Sequence, residues 1–191
     1  MASMMHRVSP TFTFWPDGEA PGAKNSPVSF SLVERSKDPT LPDRAVTGIR
    51  APEITVYAPE RPNGVALLVT PGGSYQRVVL DKEGSDLAAP FNAQGYTLFV
   101  MTYRMPADGH AEGANAPLAD AQRALRTLRA RAGEWKINPQ KIASEKEDVI
   151  MKNPVQIKMN EGGAAFHEKK DKNKKENWGG PHKRKPPKNA V

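Results

Sequence analysis

The chain has 191 residues, no cysteine and a formal net charge of +7. Its length suits one medium domain, and the lack of cysteine excludes a disulfide framework, a thiolate nucleophile and a zinc–thiolate site. The charge is uneven: from Lys141 onward 13 Lys and Arg face 7 Asp and Glu, against 15 and 14 before it, so the basicity belongs to the last quarter and the body is near neutral. The first residues hold no apolar run long enough for a signal peptide, and nothing later could span a bilayer. A soluble, cytoplasmic protein without a membrane partner is expected.

Residues 1–40 are rich in Pro, Gly and Ser and predict an extended arm. Phe12, Phe14 and Trp15 precede the turn-forming PDG and PG pairs and are expected to pack on the body. Val28 to Val33 suggests a short strand. Ala45 to Ile49 and Glu53 to Tyr57 predict two strands of a hairpin at a sheet edge, joined by Arg50-Ala51-Pro52.

Val65 to Tyr75, VALLVTPGGSY, is the centre of the pattern. Its unbroken apolar start predicts a strand buried on both faces, as in a parallel sheet covered by helices. Pro71, Gly72 and Gly73 then stop it. A glycine turn at the carboxyl end of such a strand is where open α/β sheets place ligand sites. Without side chains, backbone N–H groups there can approach a negative atom.

Asp81 to Gln94 predicts a helix closed by Gly95, but Pro90 would cost about 3 kcal/mol in a helix interior, so that helix is kinked or begins late. Tyr96 to Tyr103 reads as the second buried strand, and Arg104 to Asn115 as a polar loop. Pro117 to Trp135 gives the strongest helical pattern, with Leu118, Ala121, Leu125, Leu128 and Ala132 as one apolar stripe. Lys141-Ile142-Ala143 starts another strand, which the composition does not continue. Residues 144–191 are lysine-rich, with sparse apolar residues, and are expected to be disordered.

These pieces resemble the amino-terminal half of an α/β-hydrolase, in the acetyl-esterase and xylan- or feruloyl-esterase-like branch. The matching segments are WPDGEAPGA, ITVYAPERPNGVALLVTPGGSYQRVVLDKEG, NAQGYTLFVMTYRMP and APLADAQRALRTLRARAGEWKINPQKI. They run from Trp15 to Ile142. The resemblance implies an α/β fold, a mostly parallel sheet with helices on both faces, over residues 41–143. It implies hydrolysis of a carboxylic ester, often an acetyl group on a carbohydrate, without metal or cofactor. It also implies an oxyanion hole made by the backbone N–H groups of Gly72, Gly73 and Ser74.

The family's G-x-S-x-G nucleophile elbow should follow Lys141-Ile142 closely, and the sequence contains no such motif. No nucleophile, acid or base is assigned. Asp148, Asp171, His167 and His182 lie in a lysine-rich context without flanking strands and receive no triad role. An oxyanion hole without an activated nucleophile does not transfer acyl groups, so the chain is expected to be inactive, through a shift of coding frame or an interruption of the gene near Ala143. An uncovered central strand is then expected to aggregate or self-associate through its open edge.

Other residues carry plainer readings. Ser74 fits a backbone role better than a nucleophile, and Ser144 lacks flanking glycines. His110 reads as a solvated loop histidine. Asp120 reads as a helix-end charge, and Arg104 as a structural anchor through a buried ion pair. His167-Glu168 lacks metal spacing. The alternative to the esterase lineage is a non-catalytic basic protein whose HEKKDKNKK and PHKRKPPK runs bind polyanions by charge, without specific nucleic-acid recognition.

Overall fold

The computed structural model describes residues 10–144. The expected lysine-rich tail therefore lies outside the described residues, except for Ser144. In chain order the strands are β1 (Thr11–Thr13), β2 (Ser31–Glu34), β3 (Arg44–Thr47), β4 (Glu53–Tyr57), β5 (Ala66–Val69), β6 (Val78–Val79), β7 (Thr97–Met101) and β8 (Ile142–Ser144). The α-helices are α1 (Ala88–Asn92) and α2 (Ala116–Ala130).

Five strands form the main sheet in the order β1-β4-β7-β5-β8. β5 runs parallel to β7 and to β8, while β4 runs antiparallel to β7 and to β1. From β5 the chain crosses to β7 on one side through α1. It then returns past β5 to β8 through α2. Crossovers in opposite directions put their helices on opposite faces when both keep the usual hand.

Two separate apolar clusters match that arrangement. Ile54, Val56, Ala66, Leu68, Phe99 and Met101 pack with Ala124, Leu125 and Leu128 of α2. Val69, Leu98 and Val100 pack with Leu87, Ala88 and Phe91 around α1. The strand alternation sends odd and even residues to different helices, so all five residues of β7 are buried. This is the α/β architecture expected of the opening half of an α/β-hydrolase, with helices on both faces. The reversal of direction falls at the carboxyl end of β5, where such sheets hold ligands.

Several expectations are corrected. The hairpin across residues 45–57 does not form. β3 pairs with β2 and β6 in a separate three-stranded sheet, while β4 enters the main sheet. Gly48, at φ 65°, turns the chain between them, and a Cβ there would collide with the Ser29 carbonyl. Of the two readings given for the helix expected from Asp81, the late start is seen: a 3-10 turn, Ser85–Leu87, precedes an α1 of only five residues. Pro90 thereby sits in the first turn, where its missing N–H costs nothing. Gly95, at φ 84°, ends the segment as expected.

α2 also differs from its expected stripe. Leu118 is 49% exposed, whereas Asp120 is fully buried in its place. The helix stops at Ala130, and a 3-10 turn, Ala132–Trp135, finishes the segment. The central strand is not an open edge either. β8 pairs with β5 from Ala66 to Leu68, so among the described residues the outer edge belongs to β8.

Within the arm, β1 joins the main sheet beside β4. Phe14 enters the α2-side core, and Phe12 stacks on Trp135 with ring centroids 5.9 Å apart. The expected strand near Val28 to Val33 appears as β2, shifted towards Glu34.

Candidate active site

The turn after β5 is built from Pro71, Gly72, Gly73, Ser74 and Tyr75. Three successive residues have positive φ: Gly73 at 144°, Ser74 at 58° and Tyr75 at 56°. For side-chain-bearing residues that conformation costs about 1–2 kcal/mol each, so the surrounding contacts must hold it. Only glycine fits at 73, because a Cβ would collide with the Arg77 carbonyl.

The holding contacts are specific. The Tyr103 hydroxyl, carried on the extension of β7, donates to the Pro71 carbonyl at 2.6 Å. Burial first, then the nearby Tyr75 and Glu83, pushes the Tyr103 pKa up to about 12, so it remains a donor at neutral pH. The Gly72 carbonyl accepts from the Val79 N–H at 3.0 Å, and the Gly73 carbonyl from Gln76 and Arg77 at 3.0 and 3.3 Å. The Gly72 N–H donates to Glu83 Oε2 at 2.8 Å. The N–H groups of Gly73 and Ser74 have no partner among the described residues.

The end of β7 is organised differently. Arg104 and Asp120 side chains are both 0% exposed. Asp120 accepts from the Arg104 backbone N–H at 2.9 Å, from Arg104 Nη2 at 2.9 Å and from Trp15 Nε1 at 2.9 Å. Glu112 takes Arg104 Nη1 at 2.7 Å, and the Trp15 ring lies 5.6 Å from the guanidinium. Burial works against the charge of Arg104, but Asp120 and Glu112 outweigh it and hold its pKa above the usual arginine value. The expected anchoring role of Arg104 is therefore seen. Asp120 is corrected: it binds Arg104 and the arm rather than the helix end.

His110 is also corrected. It is 5% exposed, and neither ring nitrogen has a partner among the described residues. Its loop is pinned down by the Ser26 hydroxyl, which donates to the Asp108 carbonyl, and by Gly109 against Pro27. Burial, then Arg104, lowers the His110 pKa from 6.5.

Of the candidates named from the sequence, Gly72, Gly73 and Ser74 lie together at the carboxyl end of β5. Ser144 lies on the adjacent β8, in register with Leu68. Asp148, Asp171, His167 and His182 lie outside the described residues. Sequence reasoning missed Glu83 and the hydroxyl of Tyr103. Glu83 is 11 residues from Gly72, and no periodicity links the two. Among the described residues no group of three or more His, Cys, Asp or Glu could hold a metal ion, and no helix is long and apolar enough to cross a membrane.

No family model matches the chain. A curated acetylxylan esterase from Xylanibacter ruminicola is 33% identical over 87 residues, 46% of this chain and 17% of that protein. The chain resembles an α/β-hydrolase esterase. Among solved structures, the acetyl ester-xyloside bifunctional hydrolase of Caldicellulosiruptor lactoaceticus is 23% identical, with a TM-score of 0.48 over 74% of this chain and 43% of that one. An alpha/beta hydrolase from a Medee basin deep-sea metagenome is 27% identical, with a TM-score of 0.43 over 61% of this chain and 45% of that one. The chain thus spans about a sixth of the curated relative's length (17%) and under half of either solved structure.

Proposed function

We propose that this chain carries the oxyanion-stabilising half of a carboxylic-ester hydrolase whose substrates are acetyl esters of carbohydrates, and that alone it does not turn over. One observation carries the reading. The strained turn after β5 stands at the sheet's reversal point and keeps the N–H groups of Gly73 and Ser74 unspent. Donors fixed before the reaction stabilise a developing oxyanion without reorganising, and one such donor is worth about 2.7–4 kcal/mol. The acetyl and carbohydrate preference draws on the acetylxylan esterase relative.

The missing half of the chemistry is an attacking hydroxyl and its base. G-x-S-x-G occurs nowhere in the sequence. β8 is parallel to β5 and reaches only the level of Leu68, three residues short of Pro71. A nucleophile following closely on β8 would meet the donor turn, which is the geometry acyl transfer needs. The reading includes an interruption of the coding frame near Ala143, checked by the nucleotide sequence around that codon. It also includes β8 as the edge that a separately supplied second half, or another copy, would pair with.

The test is hydrolysis of para-nitrophenyl acetate together with a serine-directed phosphonate label. The full chain is expected to hydrolyse no faster than buffer and to take no label. Co-expression with an esterase second half is expected to restore both signals. Labelling of any hydroxyl in the chain alone overturns the proposal. The charge concentrated after Lys141 favours a second reading, polyanion binding by the tail. A salt-dependent gel shift that survives deletion of residues 144–191 would sink that one.

A further inference from the structure

We infer that Glu83 decides which backbone donors the turn offers to a ligand: its carboxylate takes the Gly72 N–H and leaves those of Gly73 and Ser74 uncommitted. The inference rests on the donor role proposed above. Family resemblance alone names all three residues as donors. The geometry separates them, because Gly72 already donates to Glu83 Oε2 at 2.8 Å. A Cβ at position 72 would stand against that carboxylate oxygen and push the flexible Glu83 side chain off the N–H.

The rest of the turn is equally committed. The carbonyls of Pro71, Gly72 and Gly73 accept from Tyr103, Val79, Gln76 and Arg77. Glu83 itself stands on a fixed base. Gly84 donates its N–H to the Asp81 carbonyl at 3.1 Å, and a Cβ on Gly84 would collide with the Leu80 carbonyl. Asp81 is buried and bound by Arg44 and Ser85. The Glu83 side chain reaches from this base to the turn while remaining exposed. Its replacement opens no core. Glu83 is thus a positioning residue: two donors, Gly73 and Ser74, remain for one partly negative oxygen of an ester or carboxylate.

The test uses the ¹⁵N-labelled full chain as wild type, Glu83→Gln and Glu83→Ala, with amide exchange and an acetate titration. In the wild type the Gly72 amide is expected to exchange about tenfold more slowly than those of Gly73 and Ser74, the factor a net hydrogen bond supplies. Glu83→Gln keeps an accepting oxygen and is expected to retain the difference. Glu83→Ala is expected to abolish it, and acetate then shifts Gly72 as well as Gly73 and Ser74. Equal exchange of Gly72 and Ser74 in the wild type overturns the inference, as does unchanged Gly72 exchange in Glu83→Ala. Acetate that shifts none of the three amides, while exchange still follows Glu83, sinks the oxyanion role and supports the clamp.

Discussion

Neighbouring parallel strands, β5 and β7, end in opposite ways. Beyond β7, Arg104 is enclosed and its charge is answered: Asp120 and Glu112 take the guanidinium, and Trp15 closes on Asp120. Beyond β5, the chain adopts costly left-handed angles at Ser74 and Tyr75 and leaves two N–H donors unmatched among the described residues. A buried polar group that finds all its partners fixes structure. A strained one held open keeps its bonding capacity for something else. The Arg104 network also ties the arm, the polar loop and α2 to the strand that supplies Tyr103. The closed site thus steadies the open one.

The contrast breaks most visibly at Asp120. Asp120→Ala strands a buried guanidinium and is expected to cost about 3–5 kcal/mol in urea unfolding of the full chain. A loss below about 1 kcal/mol would reduce the network to the worth of a surface pair. Next comes the link between the two ends. Tyr103→Phe leaves the Pro71 carbonyl without its donor and is expected to cost about 1–3 kcal/mol. Amide exchange at Gly72 to Ser74 is expected to accelerate while that of β7 is unchanged; a uniform acceleration would make Tyr103 a plain core residue.

The smallest expected effect is the pH response of His110, which faces Arg104, Asp108, Glu112 and Asp120. Its folded pKa is held below 6.5, first by burial and then by Arg104. Above 6.5 both folded and unfolded chains keep it neutral, and its contribution is fully present. As pH falls towards the folded value, the unfolded chain takes up protons that the folded one does not, and stability drops. The Tm of the wild type is therefore expected to fall between pH 8 and 5, and that of His110→Phe to fall less. Asp108, raised by burial from 3.8 and partly lowered by His110, contributes the opposite slope, so the difference between the two proteins reports His110 together with its coupling to Asp108. Equal slopes would remove His110 from the account.

Much of the frame was legible. The runs Val65 to Val69 and Tyr96 to Tyr103 announced strands covered on both faces, and Pro71-Gly72-Gly73 announced the turn. Pro117 and the leucines after it announced α2. The sequence misled where partners are distant. Ala45 to Ile49 has strand composition, but nothing local says that β3 leaves the main sheet for β2 and β6. Leu118 fits a 3.6-residue period yet lies outside, because Asp120 occupies the inward side to meet Arg104. His110 sits in a loop of polar residues yet is buried, and the ties of that loop to Ser26 and Pro27 are long-range contacts that no local pattern announces.

Sequence by itself determined what each short segment can do: which runs prefer to be covered, where the backbone can bend through positive φ, and that these 191 residues hold no G-x-S-x-G motif. Those properties are local, set by side-chain shape and polarity. Tertiary structure alone decided which polar groups are spent and which are kept. Glu83 reaching Gly72, Tyr103 reaching Pro71 and Asp120 reaching Arg104 are all meetings across elements. A hydrogen bond between residues far apart in the chain exists only once packing has brought them to within about 3 Å, and no pattern of neighbours encodes that distance.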